Sequence, residues 1–282
     1  MNFSDRIKNV NPSMTLAIDA KAKEMKANGE DVIGFGAGEP DFNTPERIKQ
    51  AGIRAIENNE TRYTPVGGSD ALKEAIISKL QRDNGLTYEK NQILASSGAK
   101  HSFYNLAQVL WQTGDEVIIP APYWVSFPEM VTLAGASPLI IHAGAEQDFK
   151  ITPEQIDNAV TPNTKAIIIN SPSNPTGSAY DKSELEKLAE CALRHNLLII
   201  SDEIYEQIVF DGFHHTSIAS ISKEVQKQCV VINGVSKSYA MTGWRIGYIA
   251  AGDPEITKQV SKLQGQSTSN PCSVSQAASI EA

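Results

Sequence analysis

Residues 165–205 read KAIIINSPSNPTGSAYDKSELEKLAECALRHNLLIISDEIY. The stretch opens on an apolar run, KAIIIN (165–170), and closes on a second, LLIIS (197–201), followed by DEIY. Between them, SELEKLAECALRH places Leu185, Leu188, Ala189, Ala192 and Leu193 on one face of a helix. Ser183 and Glu186 have capping-box spacing, which predicts the helix start at that point. Strands that are apolar throughout, without alternation, are buried on both faces, and a helical crossover between two of them is the connection that parallel strands need. The fold class that follows is α/β: a mostly parallel sheet covered by helices on both faces.

The same pattern extends outward in both directions. Further strands are expected at QILAS (92–96), EVIIP (116–120), CVVIN (229–233) and a run over 246–251 that begins beside Arg245. DALKEAIISKL makes a second amphipathic helix, with Leu72, Ala75, Ile76 and Leu80 on one side. There is no internal repeat and no low-complexity linker. With 282 residues, 41% of them hydrophobic, the chain can bury a core of one or two domains. A net charge of −8 with no basic run argues against nucleic acid or an anionic membrane surface as partner. The start, MNFSDRIKNVNPS, has no apolar h-region, and no apolar stretch approaches the ~20 residues of a membrane span. Cys191, Cys229 and Cys272 stand in no pairing or metal-ligand pattern, so no metal is expected and the expected setting is a reducing cytoplasm.

Sheets of this kind bind ligands beyond the carboxyl ends of their strands. There the sequence turns polar: SSGAKHS follows QILAS, SPSNPTG follows KAIIIN, DEIY follows LLIIS, and GVSKS follows CVVIN. Each cluster has a plain reading by itself. SSGAKHS is an ordinary turn and helix cap, although the free N–H groups of a helix opening near Gly98 and Ala99 also suit an anion. Asn174-Pro175 is a turn former. Asp202-Glu203 resembles the metal-holding acids of a nucleotide hydrolase, but that chemistry requires G-x-x-x-x-G-K-[ST], which the sequence lacks. Lys237 alone is a surface lysine with its stem over apolar neighbours. Gly34, Gly36 and Gly38 imitate a dinucleotide fingerprint, yet Glu39-Pro40 stands where its helix should begin.

Taken together, the clusters make one chemical set. A helix N-terminus and Arg245 suit a phosphate. Lys237 can form a Schiff base once its amine is unprotonated, and desolvation or nearby cations favour that state. Pyridoxal phosphate requires a Schiff-base lysine, a phosphate seat and an acid for its ring nitrogen.

GVSKSYAMTGWRIG (234–247) resembles the pyridoxal-phosphate attachment motif of the class I aminotransferases. GAGEPDFNTP, APYWVSFPEM, NSPSNPTG and SDEIY are similar to the family's other landmarks, in the same order and across essentially the whole chain. The likeness is greatest to the branch carrying AMTGWRIGY, the bacterial aspartate aminotransferases. The resemblance implies a large pyridoxal-phosphate domain over 46–282 that ends in an interdomain helix. It also implies an incomplete small domain, to which residues 1–45 contribute at the dimer and substrate edge.

By the same resemblance, Lys237 carries the cofactor and moves the Cα proton, Asp202 pairs with the pyridine nitrogen, and Tyr205 and Asn174 bond the ring oxygen. Trp124 stacks on the ring, while Arg245 and the backbone of Gly98, Ala99 and Lys100 hold the phosphate. Gly38, Trp124 and Asn174 border the substrate. Tyr63 reaches the phosphate of the other subunit, which implies a homodimer with shared sites. The substrates implied are an amino acid, aspartate by overall likeness, and 2-oxoglutarate. Lys100 is a candidate cation for a second carboxylate, and equally a solvated or structural lysine.

Two departures stand out. The family often has serine where this chain has Gly234, three before the lysine, and Ser236 is the nearest alternative. The family's C-terminal arginine for the substrate α-carboxylate is not in a sequence ending SQAASIEA. Because fold and cofactor do not fix the reaction, a C–S lyase or another amino-acid enzyme on this fold is a competing reading, and the missing arginine adds a non-catalytic cofactor-binding or dimerisation fragment.

Overall fold

The computed structural model describes residues 2–36 and 38–282. Its strands are β1 (Ile93–Ser96), β2 (Glu116–Ala121), β3 (Ser137–His142), β4 (Thr164–Asn170), β5 (Leu198–Asp202), β6 (Cys229–Gly234) and β7 (Gly247–Ala251). They form one sheet in the order β1-β7-β6-β5-β4-β2-β3. All neighbouring pairs from β3 to β6 are parallel, whereas β7 runs antiparallel to both β6 and β1. The expected strands are all present with ends within a residue or so. β3 was not expected; Pro138 and the partial exposure of SPLIIH hide it, and both are tolerated because it is an edge strand.

The helices are α1 (Asp5–Lys8), α2 (Met14–Ala27), α3 (Glu46–Glu57), α4 (Asp70–Asn84), α5 (Ala99–Leu110), α6 (Ser126–Leu133), α7 (Pro153–Ala159), α8 (Lys182–Arg194), α9 (Lys223–Lys227), α10 (Pro254–Ser267) and α11 (Ser273–Glu281). Strand residues alternate between two cores because both sheet faces are covered. Ile167 and Ile169 of β4 pack with Leu72, Ile76 and Leu80 of α4 and Leu185 and Leu188 of α8. Ala166 and Ile168 of the same strand pack on the other side, with Phe103 and Leu106 of α5 and Phe127 and Met130 of α6.

The start of α8 differs from the Ser183–Glu186 expectation. Asp181 caps it, accepting the Glu184 amide at 2.8 Å while Glu184 reaches back to the Asp181 amide at 2.8 Å. Asp181 forms the same box two residues earlier, and Ser183 becomes its partner, donating to Asp181 Oδ1 at 2.9 Å.

Residues 2–45 contain no buried residue among those described, and the core begins at Ile48. This N-terminal stretch is tied down at the carboxyl edge of the sheet: Thr44 Oγ1 donates to the Ala240 carbonyl at 2.6 Å, and Thr242 donates to Glu39. No helix among the described residues is long and apolar enough to cross a membrane.

Candidate active site

The sheet brings the polar clusters together by register. Asn170, the last residue of β4, is level with Asp202, the last of β5. Ser96 of β1 and Gly234 of β6 are both level with Gly247, where β7 begins. Because β7 runs against its neighbours, its start lies at the carboxyl edge of the others, which places Arg245 beside the Lys237 loop and the N-terminus of α5. Close packing is required at this junction. A Cβ on Gly247 would lie 2.2 Å from the Ala99 amide nitrogen, and one on Gly234 would lie 2.7 Å from the Ile246 carbonyl oxygen. The glycine at 234 therefore has a steric reason, and Ser236, which is buried, lines the cavity instead.

The cavity measures about 570 Å³. Gly38, Ala99, Lys100, Trp124, Asn174, Asp202, Tyr205, Lys237 and Arg245 all line it. Gly98 stands behind the Arg245 guanidinium: it has φ +92°, and a Cβ there would meet Arg245 Nη2 at 2.1 Å. Arg245 itself is left-handed at φ +56°, a conformation a non-glycine residue adopts at a cost. Its guanidinium donates to the Thr242 carbonyl at 2.8 Å and to the Ser97 carbonyl at 3.3 Å. Beside it, the first amides of α5 have no intrahelical acceptor, so cation and helix terminus make one anion seat. Tyr63 is apart from this group. It is 91% exposed and borders a separate hollow with Asn270 and Cys272.

Lys237 donates to the Gly38 carbonyl, and its Nζ lies 5.6 Å from the Tyr205 ring centre. Burial lowers its pKa and Arg245 acts the same way, against Glu39 and Asp202. The amine is thus biased toward its nucleophilic form. Asn174 Nδ2 donates to Tyr205 Oη at 3.3 Å, and the pair faces the cavity together. Burial raises the Tyr205 pKa, as does Asp202, while the Asn174 bond lowers it. Lys100 is exposed, with its Nζ 4.9 Å from the Trp124 ring centre, and partial desolvation and then Arg245 lower its pKa.

Asp202 carries the clearest electrostatic demand. Burial raises its pKa to about 7, and Glu203 adds to that, although the Ile204 amide and the Lys237 charge oppose it. Its side chain accepts one bond, from the Ile204 amide at 3.2 Å, and no other donor reaches it among the described residues. A buried carboxylate in that state is stabilised by a cationic N–H donor brought in by a ligand. The donor set therefore fits a phosphorylated pyridine aldehyde: an amine, an acid facing the cavity, and a cationic anion seat.

Residues 30–282 match the family described as aminotransferase class I and II. The chain belongs to that family. It is 59% identical over 280 residues to the aspartate aminotransferase of Bacillus sp. (strain YM-2), covering 99% of this chain and 71% of that protein. It is 56% identical to the aspartate aminotransferase of Geobacillus stearothermophilus, covering 100% of this chain and 72% of the relative. Among solved structures, the Thermus thermophilus aspartate aminotransferase with maleate superposes with TM-score 0.96 at 40% identity, over 100% of this chain and 72% of that one. The Rhizobium meliloti aspartate aminotransferase gives 0.95 at 43%, over 99% and 70%. This aminotransferase is accordingly a pyridoxal-phosphate enzyme that exchanges an amino group between an amino acid and a 2-oxo acid.

Residues that line the cavity, or brace the strands behind it, were not all singled out by the sequence. Asn170 accepts the Asn174 amide at 2.8 Å and donates to the Asp202 carbonyl at 3.1 Å, joining two strand ends. Its place as the last residue of an apolar run was the available signal. Thr15, Phe35 and Thr242 also line the cavity. Gln264 of α10 is fully buried. It accepts from Ser96 Oγ at 2.7 Å and Asn105 Nδ2 at 3.1 Å, and donates to the carbonyls of Val66 at 2.7 Å and Ala95 at 2.9 Å. No local pattern announces it.

Proposed function

We propose that this chain is an aspartate aminotransferase working with 2-oxoglutarate through Lys237. The observation that carries the proposal is the convergence of Lys237, Asp202 and Arg245 on one cavity, with Asp202 buried and short of donors. Aspartate is favoured by the names of the relatives and by maleate, a dicarboxylate, in the Thermus thermophilus structure. Lys100 gives that preference a chemical basis, because it is a cation at the cavity with no carboxylate partner among the described residues.

In this proposal Arg245 and the backbone amides of Ala99 and Lys100 hold the cofactor phosphate, whereas the Gly98 amide, also expected there, already donates to the Ser96 carbonyl at 2.8 Å; Trp124 covers the ring and excludes water. Pyridoxal phosphate, when bound, supplies an electron sink for the charge left at the substrate Cα. Asp202 holds a proton at the ring nitrogen, which a carboxylate of raised pKa does best when that nitrogen is its donor. Tyr205, oriented by Asn174, donates to the ring oxygen. Lys237, set near the Gly38 loop by its bond to that carbonyl, takes the Cα proton as a base and returns it as an acid. Gly38 lies against the substrate carboxylate.

Residues 46–282 form the cofactor domain in this scheme, and 1–45 belong to the small domain and the subunit edge. Tyr63, exposed and apart from the cavity, serves the site of a second subunit in a homodimer. The setting we propose is the cytoplasm, in keeping with three cysteines in no pairing pattern. The discriminating experiment incubates the cofactor-loaded protein with aspartate and then with 2-oxoglutarate. Formation of oxaloacetate followed by glutamate supports the proposal. Release of pyruvate and ammonia from a β-substituted substrate, with no return by a keto acid, would support a lyase instead.

A further inference from the structure

Glu203 follows Asp202 in the chain but does not line the cavity, and at 1% exposure it is among the most buried acids. Both oxygens of its carboxylate have partners. Oε1 accepts from Ser201 Oγ at 2.8 Å and Ser217 Oγ at 2.7 Å, and Oε2 lies 3.4 Å from His215 Nε2. Its own amide donates to the Ile232 carbonyl in β6 at 2.9 Å. His215 and Ser217 end the loop that leaves the site after Tyr205. Glu203 thus ties that returning loop to the strand end, on either side of the turn that presents Asp202 and Tyr205.

Each member of the pair favours the charged form of the other. Burial favours a protonated Glu203, but the His215 bond and charge, with the two serine hydroxyls, outweigh it and leave the pKa lowered. Burial likewise disfavours a charged His215, but Glu203 outweighs it, with Glu206 assisting and Lys79 opposing. Asp202, Glu206 and Lys79 are the other charged groups around the pair. A buried ion pair whose carboxylate oxygens both have partners contributes little net stability relative to an apolar substitute, yet it defines geometry sharply.

We propose that Glu203 is a positioning residue: clamped by His215 and Ser217, it fixes the Asp202–Tyr205 turn at the edge of the cavity. The cofactor-based half of the test rests on the function proposed above; the other half does not. Glu203→Gln keeps the shape and removes the charge. Ser217→Ala removes one anchor only and keeps the question open if the first variant does not fold. Ile156→Val, in the core of α7, serves as a stability control.

Amide exchange over residues 204–206 is measured in the cofactor-free chains. Glu203→Gln is expected to raise it about tenfold, and Ser217→Ala by less, while Ile156→Val leaves it unchanged. In the loaded chains, the pH at which the visible absorbance of bound pyridoxal phosphate changes should move by about 0.5 in Glu203→Gln and not in the control. Wild-type exchange over 204–206 in both Glu203→Gln and Ser217→Ala overturns the positioning role. Raised exchange with no Lys237-dependent absorbance in any chain, wild type included, supports the role of Glu203 and overturns the cofactor assignment.

Discussion

Replacing Gly98 by alanine separates two demands that meet at one residue. Gly98 has φ +92° and ψ 158°, a region that only glycine occupies at ease. A side chain there costs about 1–3 kcal/mol of backbone strain. The added Cβ also falls 2.1 Å from Arg245 Nη2, and because that is the end of a flexible side chain, the guanidinium must leave its place. Arg245 then loses its bond to the Ser97 carbonyl and its aim at the anion seat. At 2–4 °C per kcal/mol, the strain alone lowers Tm by about 2–12 °C. Loss of a charge-assisted phosphate bond worth about 1.5–3 kcal/mol weakens pyridoxal phosphate binding by about 10- to 150-fold. Gly114→Ala is the control, with φ +97° and nothing within 4 Å of the new Cβ, so it carries the strain without the collision. Thermal melts followed by circular dichroism and cofactor titration by absorbance give both quantities. If Gly98→Ala binds the cofactor as tightly as Gly114→Ala, Arg245 does not work from the position described.

Asp202→Asn should change the pH dependence of stability in the cofactor-free chain. Because burial raises the folded pKa of Asp202 to about 7, the folded state holds a proton that the unfolded state releases near the ordinary carboxylate value of ~3.9. The group therefore costs stability progressively as pH rises from about 4 to 7, and melting curves of Asp202→Asn should decline less over that window; an identical decline would contradict the raised pKa. Gln264→Leu strands several buried partners and should cost at least about 3 kcal/mol in a urea melt, whereas a loss under about 1 kcal/mol would mean that the network does not hold α10 to β1. Lys100→Ala should raise KM for aspartate at least about tenfold more than for alanine, and an equal change for both would remove Lys100 from substrate selection.

What could be read from the sequence followed from how local each feature is. The runs at 165–170 and 229–233 are nearly continuous in apolar residues, and such runs have few places in a fold other than the middle of a covered sheet. The polar residues that follow them then converge by the geometry of parallel strands. The direction of β7 was not readable, since an apolar run is the same in either orientation; yet that reversal is what brings Arg245 to the site. Asp181 was overlooked as a cap because Ser183 and Glu186 offer the same spacing. Gln264 and Glu203 depend on partners that only the folded chain supplies. Ser96, bonded to Gln264, is 168 residues away in sequence. The family resemblance supplied roles that spacing alone left open, and the position of Tyr63 is one of these.

The central claim is that Lys237 holds the cofactor. The direct measurement is an absorbance spectrum of the purified chain with pyridoxal phosphate, beside Lys237→Ala, before and after borohydride. The account predicts a visible band that needs Lys237, with the cofactor becoming permanently attached to that residue on reduction. The same spectrum in the wild type and in Lys237→Ala, with no attachment at that position, would contradict it.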